Sequence, residues 1–374
     1  MKKFLAMVLT AAMAFSLVAC GGSSNASSAA SEGSTSGSKT DVAFVTDVGN
    51  IDDQSFNQYT WQGVKDFCAA NNLNANYYRP TEDSDSARLE QMDNAVNDGA
   101  KAIVVAGYLF EGSIAEAQTK YPDVQFVVLD VSSLGKAETG KNVALITYRE
   151  EQVGYLAGYA AVYDGYKKLG FLGGMAVPAV QRYGFGFVQG ANAAAVELGT
   201  PIEIKYTYGG QFFGDASITA KMEGWYSTGT EIVFACGGGI YTSAVEAALA
   251  HKAYVIGVDV DQYYCKEAKN AMETDGYNPF VTSAMTVLQA ATENALDKFF
   301  KGEWAELGGK IETKKLETGD YVGLPTGEES WGFKSFTIDE YNKLVEAIRA
   351  GEVVVSDALE APAVDANVTV TYID

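Results

Sequence analysis

The sequence predicts an α/β protein of two Rossmann-like parallel-sheet domains with a cleft between them. Short runs rich in Val, Ile and Phe alternate with helical patterns from Asp41 onward. The runs lack polar alternation, as strands of a sheet buried on both faces require. The pattern restarts near Leu169, and ten strands in one open sheet would be unusual, so two sheets of about five or six strands are expected. The alternation implies right-handed βαβ crossovers and parallel pairing.

The first strand is Val42–Thr46, closed by Asp47, after which Gly49-Asn50 turns the chain. Ser55 stands where an N-cap belongs. Phe56, Tyr59, Thr60, Gly63, Val64 and Phe67 then recur at helical spacing, which predicts a helix over Phe56–Ala70. By the same criteria strand Asn74–Tyr78, helix Ser86–Asn97, strand Ala102–Ala106 and helix Gly112–Lys120 follow, then strands Gln125–Leu129 and Val143–Tyr148 and helix Glu151–Tyr163. The second array reads as strand Leu169–Gly173, helix Gly186–Leu198, strand Ile202–Tyr208, helix Ala216–Tyr226, strand Glu231–Ala235, helix Thr242–Ala250 and strands Tyr254–Val258 and Phe280–Ser283. Helix Met285–Phe300 comes next, then a short strand at Tyr321–Leu324. Thr337, with Glu340 three residues on, caps a helix that ends at Gly351. Ala361–Asp374 is a strand or an ordered tail. Residues 41–165 plus 285–320 are expected to form one domain, and 166–284 plus 321–374 the other.

The N-terminus reads as a leader. Lys2 and Lys3 precede an apolar run from Phe4 to Val18, too short and too abruptly ended for a membrane span. Leu17-Val18-Ala19-Cys20 resembles the lipobox of bacterial lipoproteins, in which the cysteine is acylated; the alternative is an ordinary cleavage site. Residues 1–19 are thus a signal peptide and 20–40 a Ser/Gly-rich tether with no apolar periodicity. Losing Lys2 and Lys3 takes the net charge from −21 to −23. Such acidity excludes nucleic acid as a partner and leaves the lipid as the only membrane contact. Beyond Cys20 the cysteines are Cys68, Cys236 and Cys265. They have no metal-ligand spacing and read as small buried hydrophobes, with one pair among them left open. His251 is the only histidine and falls at a helix end, which leaves little room for imidazole chemistry.

Ligands of open α/β sheets sit at the carboxyl ends of strands. The first array offers the loops Asp47–Asn57, Gly107–Phe110 and Asp130–Ser133. The second offers Gly174–Gly184, Gly209–Asp215, Cys236–Tyr241 and Asp259–Tyr264. They carry aromatics (Phe56, Tyr108, Tyr183, Phe212, Phe213, Tyr241, Tyr263), carboxylates (Asp47, Asp130, Asp259, Asp261) and bare backbone at Gly237, Gly238 and Gly239. Rings stack on flat faces, carboxylates hold hydroxyl pairs and glycines allow close approach. A ligand with a flat face and a polyol fits, which is the shape of a nucleoside. No G-x-S-x-G nucleophile, metal cluster or P-loop is present, and the glycine run lacks dinucleotide-fingerprint spacing, so neither catalysis nor a cofactor is expected.

Several motifs resemble the basic membrane lipoprotein (BMP/PnrA-like) solute-binding proteins, whose better-known members bind purine nucleosides for ABC transporters. They are TDVGNIDDQSFNQYTWQG at Thr46–Gly63, YREEQVGYLAGYAA at Tyr148–Ala161, GFLGGMAVPAVQRYGFGFVQGA at Gly170–Ala191, QFFGDASITA at Gln211–Ala220, FACGGGIYTSAVEAA at Phe234–Ala248, VIGVDVDQ at Val255–Gln262 and TSAM at Thr282–Met285. The first and VIGVDVDQ are the most specific. The resemblance implies a type I periplasmic-binding-protein fold with the ligand in the interdomain cleft. It implies that Phe56 stacks on one face of a base and Phe212 or Phe213 covers the other. Asp47 and Asn57 would meet the base, and Asp259 the ribose, helped by Asp130 and the backbone at Gly237-Gly238. Tyr108, Tyr183 and Ser283 complete the candidate set. Thr286 stands where many members have Lys, so Arg182 is the candidate substitute. The implied protein is a monomeric, lipid-anchored receptor at the extracytoplasmic face that hands a nucleoside to ABC permease subunits. A sugar receptor of the same fold, an enzyme in the same cleft and a sensor or adhesin are the alternatives.

Overall fold

The computed structural model describes residues 39–373. The signal peptide, Cys20 and the tether as far as Ser38 lie outside the described residues. The backbone N–H of Thr40 donates to the Asp98 carbonyl at 3.0 Å.

The elements begin with β1 (Val42–Val45), α1 (Phe56–Asn71), β2 (Ala75–Tyr78), α2 (Asp85–Asn97), β3 (Ala102–Ala106), α3 (Glu111–Lys120), β4 (Gln125–Leu129), β5 (Val143–Tyr148) and α4 (Glu150–Tyr163). Then come β6 (Lys168–Gly173), α5 (Pro178–Leu198), β7 (Ile202–Tyr208), α6 (Ala216–Ser227), β8 (Ile232–Cys236), α7 (Tyr241–His251), β9 (Tyr254–Asp259), α8 (Lys266–Asp275) and β10 (Phe280–Thr286). The chain ends with α9 (Leu288–Phe300), β11 (Lys310–Lys314), β12 (Val322–Gly323), α10 (Ile338–Arg349) and β13 (Val368–Tyr372).

Two sheets result, one per lobe. The first is six-stranded and parallel throughout, in the order β11-β5-β4-β3-β1-β2. The second is seven-stranded, β12-β10-β9-β8-β6-β7-β13, with only β12 antiparallel to its neighbour. The central strands β1, β3 and β8 are buried along their whole length, so each sheet is covered on both faces. This is the layered α/β arrangement that places post-strand loops at one edge of each lobe.

Glycine sets the closest helix contact. On α4 and α5, Gly154, Gly158, Gly186 and Gly190 face the opposite backbone; a Cβ on Gly190 would lie 2.8 Å from Tyr155 Cα. Helix α4 therefore lies on α5 of the second lobe, whereas the sequence reading grouped it with the first array.

Some elements differ from expectation. β11 was not foreseen: Lys-Ile-Glu-Thr-Lys is an edge strand, half exposed, so it lacks an apolar run. α8 was missed because it is mostly charged and polar and buries only Ala268 and Ala271. α5 starts at Pro178, eight residues before Gly186; the expected loop Gly174–Gly184 is mostly helix, with proline in its first turn. β10 runs on to Thr286, so the next helix begins at Leu288, not Met285. The capping box of Thr337 and Glu340 is present. Cys68, Cys236 and Cys265 are buried and free.

Candidate functional site

Loops from both sheets meet around a partly open cavity. β1 delivers Asp47, β3 leads into Gly107 and Tyr108, and β4 ends at Asp130; α1 brings Phe56 and Asn57 in its first turn. From the second lobe come Tyr183 on α5, Phe212 after β7, Gly237 and Gly238 after β8, and Asp259 at the end of β9.

Asp130 and Asp259 occupy matching strand-end positions in the two lobes, and both are left-handed, with φ of 59° and 66°. Aspartate is among the few residues that visit this region, at a cost of about 1–3 kcal/mol when the surroundings enforce it. Gly237 and Gly238 are also at positive φ, 139° and 52°. A Cβ on Gly237 would sit 2.9 Å from Gly174 N, so the backbone there can approach its neighbour only without a side chain.

The loop before α1 is built on carboxylates. Ser55 is not the cap expected of it: its side chain makes no cap hydrogen bond. Asp53 takes that role, accepting from the backbone N–H groups of Ser55 (2.9 Å), Asn57 (3.0 Å) and Gln58 (3.0 Å). Burial still pushes the Asp53 carboxyl up to about 6, against those three donors. The signal was legible: an acidic residue just ahead of the first turn favours a helix N-terminus.

Ser55 instead crosses the cleft and donates to Asp259 Oδ2 at 2.5 Å. Gln54 crosses beside it. Its Nε2 donates to Tyr241 OH (3.0 Å) and Glu267 Oε2 (2.9 Å), and its Oε1 accepts from the Lys266 N–H at 2.7 Å. Neither residue was singled out in the sequence, since a polar loop residue carries no pattern that says which lobe it will touch.

Asp47 Oδ1 accepts from Gly49 N (2.6 Å) and Asn57 Nδ2 (2.8 Å). Burial raises the Asp47 carboxyl above its ordinary value. Asp259 is pushed up to about 7 by burial, partly opposed by the Ser55 hydroxyl. Asp130 is raised well above its ordinary value by burial, then by Glu150 and Asp259. Three buried atoms on cavity-lining residues have no hydrogen-bond partner: Asn57 Oδ1, Asp130 Oδ1 and Tyr183 OH. Buried polar groups are nearly always paired, so these three are places where a ligand would supply the missing partner.

Behind the wall lie Glu150 and Glu151, both fully buried. Arg182 Nε pairs with Glu150 Oε2 at 2.5 Å and lies 4.0 Å from Glu151; Arg149 pairs with Glu151. Burial and Glu150 push Glu151 up to about 7.

Of the candidates, Asp47, Phe56, Asn57, Tyr108, Asp130, Tyr183, Phe212, Gly237, Gly238 and Asp259 line one cavity. Three do not. Phe213 is 44% exposed, and of the two neighbouring rings it is Phe212 that faces inward. Arg182 is held by Glu150 rather than presented to the cavity. Ser283 accepts from Gln262 N at 3.0 Å and supports the turn that follows Asp259. Among the described residues no acidic, His or Cys group forms a metal cluster, and no helix is long and apolar enough to cross a membrane.

The fold is shared with solved structures. An ABC transporter solute-binding protein from Aeropyrum pernix superposes with a TM-score of 0.67 at 21% identity, covering 84% of this chain and 87% of that one. One from Conexibacter woesei gives 0.66 at 20% identity, covering 85% and 99%. These likenesses bear out the type I periplasmic-binding-protein fold. Among curated relatives, the ABC transporter nucleoside-binding protein BmpA of Lactococcus lactis is 30% identical over 75% of this chain and 81% of its own length. Basic membrane protein B of Borreliella burgdorferi is 26% identical over 79% and 83%. Residues 40–358 match the Bmp family, described as ABC transporter substrate-binding protein PnrA-like. The chain belongs to this family of ABC transporter substrate-binding proteins.

Proposed function

We propose that this protein binds a purine nucleoside in the cavity between its lobes and delivers it to the permease of an ABC importer, held at the outer face of the membrane by a lipid on Cys20. One observation carries the reading. The cavity presents an aromatic ring from each lobe, Phe56 and Phe212, together with three buried polar atoms that lack partners. That lining suits a flat, apolar-faced body with a hydrogen-bonding rim. The nucleoside-binding name of the Lactococcus lactis relative supports it.

In this reading the base lies against the two rings, each contributing about 1–3 kcal/mol. The sugar hydroxyls meet the carboxyl oxygens of Asp259 and Asp130, each hydrogen bond contributing about 0.5–1.5 kcal/mol. The segments that pass between the sheets near Arg149, Val287 and Gly319 serve as the hinge, and closure shuts the ligand from water.

Mass spectrometry of the small molecules released on denaturing the purified protein, followed by calorimetric titration with adenosine, guanosine, inosine, uridine and ribose, tests the proposal. A purine nucleoside should be recovered and rebind. Tight ribose binding with no nucleoside binding would overturn base stacking and favour a sugar receptor. Labelling with radioactive palmitate in the wild type but not in Cys20→Ala is the expected result for the anchor.

A further inference from the structure

Resting on the reading that Asp259 meets the sugar hydroxyls, we infer that Gln262 is the positioning residue for that contact: its buried amide fixes the left-handed turn that aims the Asp259 carboxyl into the cavity, and ties that turn to the opposite lobe.

The turn is tight and unfavourable. Asp259 ends β9 at a φ of 66°, and the Val260 N–H donates straight back to the Val258 carbonyl at 2.7 Å. A non-glycine residue keeps this conformation only where its surroundings enforce it. The ladder does not supply the enforcement, because β8 pairs with β9 only as far as Ile256. The Val258 N–H goes instead to Gln262 Oε1, at 3.1 Å. The Gln262 N–H donates to Ser283 Oγ on β10 at 3.0 Å. Gln262 therefore clasps the residue before Asp259 with its side chain and the neighbouring strand with its backbone.

The clasp has a space made for it. Gln262 is fully buried yet does not line the cavity. A Cβ on Gly257 would lie 2.6 Å from both Gln262 Oε1 and Ser283 Oγ, so the amide fits only against a bare backbone. The other acid of the turn is drawn aside. Asp261 Oδ1 accepts from the Tyr263 N–H at 3.2 Å and Oδ2 from the Ser330 hydroxyl at 2.5 Å. Asp259 is the one of the two that lines the cavity.

The amide nitrogen faces the first lobe. A flipped amide would set its NH2 against the Val258 N–H, two donors together, so the oxygen belongs there and the nitrogen points outward. Nε2 donates to the Gln54 carbonyl at 3.4 Å, and Gln54 is itself left-handed at a φ of 51°. One neutral side chain thus joins the turn that presents Asp259 to the loop that crosses from α1.

Calorimetry with adenosine, guanosine and inosine, and with the 2′,3′-dideoxy form of whichever binds tightest, tests this. Wild type should prefer the ribonucleoside about tenfold or more. Gln262→Met, which keeps the length and loses the hydrogen bonds, should bring that preference within about threefold. Gln262→Glu retains an acceptor for the Val258 N–H and should keep the preference within about threefold of wild type. In an Asp259→Ala background Gln262→Met should change the preference no further, an outcome that a merely structural role does not produce. Ser283→Ala, which frees the Gln262 backbone, should reduce the preference by about two- to fivefold and serves if Gln262→Met does not fold. A folded Gln262→Met with wild-type preference, an unchanged Ser283→Ala, or a Gln262→Glu as impaired as Gln262→Met would overturn the inference and leave nucleoside binding intact. Equal binding of the two ligand forms by wild type would overturn the Asp259 contact on which it rests. No binding of any nucleoside would overturn the functional reading as well.

Discussion

Gln54→Ala should weaken ligand binding although Gln54 does not line the cavity. Its side chain makes three hydrogen bonds to the second lobe, at 3.0 Å to Tyr241 OH, 2.9 Å to Glu267 Oε2 and 2.7 Å from Lys266 N. Two are bonds between neutral groups and one goes to a carboxylate, and the site is partly exposed, so the set contributes about 2–3 kcal/mol net. All three exist only when the lobes are together, so they bias the closed form alone. A protein that is mostly open without ligand then loses about 30- to 150-fold in apparent affinity. The loss should fall mainly on the release rate, because re-opening is what the latch resists. Calorimetry gives the affinity, and stopped-flow displacement from ligand-loaded protein gives the release rate. Tyr241 retains its own bond to Glu267 at 2.8 Å, so the second lobe stays intact. Affinity and release rate both within about twofold of wild type would refute the latch.

The two neighbouring phenylalanines should behave differently. Phe212→Ala should lose about 10- to 100-fold in affinity, the worth of a stacking face, while Phe213→Ala, on a ring 44% exposed, should bind normally by the same titration. Stability of the ligand-free protein should fall as pH rises from about 4 to about 7 and then level off. The reason is that Asp53 (about 6), Asp259 (about 7) and Glu151 (about 7) hold protons in the fold that the unfolded chain has already released. Thermal melts at pH 5 and pH 8 should show the drop, smaller in Asp259→Asn, and a rise over that interval would contradict the assignment. Gly190→Ala, whose Cβ would fall 2.8 Å from Tyr155 Cα, should cost more than about 3 kcal/mol in denaturant unfolding, because two helix backbones must separate.

Much of the site was legible because strand ends in α/β proteins carry function at fixed positions. Asp47, Asp130 and Asp259 each follow an apolar run, and that placement alone marks them as cleft residues. Arg182 and Ser283 misled for opposite reasons. Arg182 was the candidate substitute for the lysine that Thr286 replaces, yet Glu150, which precedes it by a whole βα unit, claims it in the fold. Ser283 lies in a recognisable motif, but its hydroxyl faces the backbone of Gln262. The first-turn position of Phe56 was readable from helical spacing; which phenylalanine opposes it was not, since Phe212 and Phe213 are consecutive and only the loop conformation decides which one turns inward.

The sequence by itself determined the class of fold, the two arrays, nearly every strand of the two cores and most of the residues that line the candidate cavity. It could do so because burial on both faces of a parallel sheet demands continuous apolar runs, and those are local patterns. The tertiary structure alone decided the edge strand β11, the placement of α4 on α5 and the cross-lobe contacts of Gln54 and Ser55. Each depends on atoms meeting partners far along the chain, 213 residues away for Gln54 and Glu267, and a hydrogen bond across a cleft leaves no period in the chain to be read.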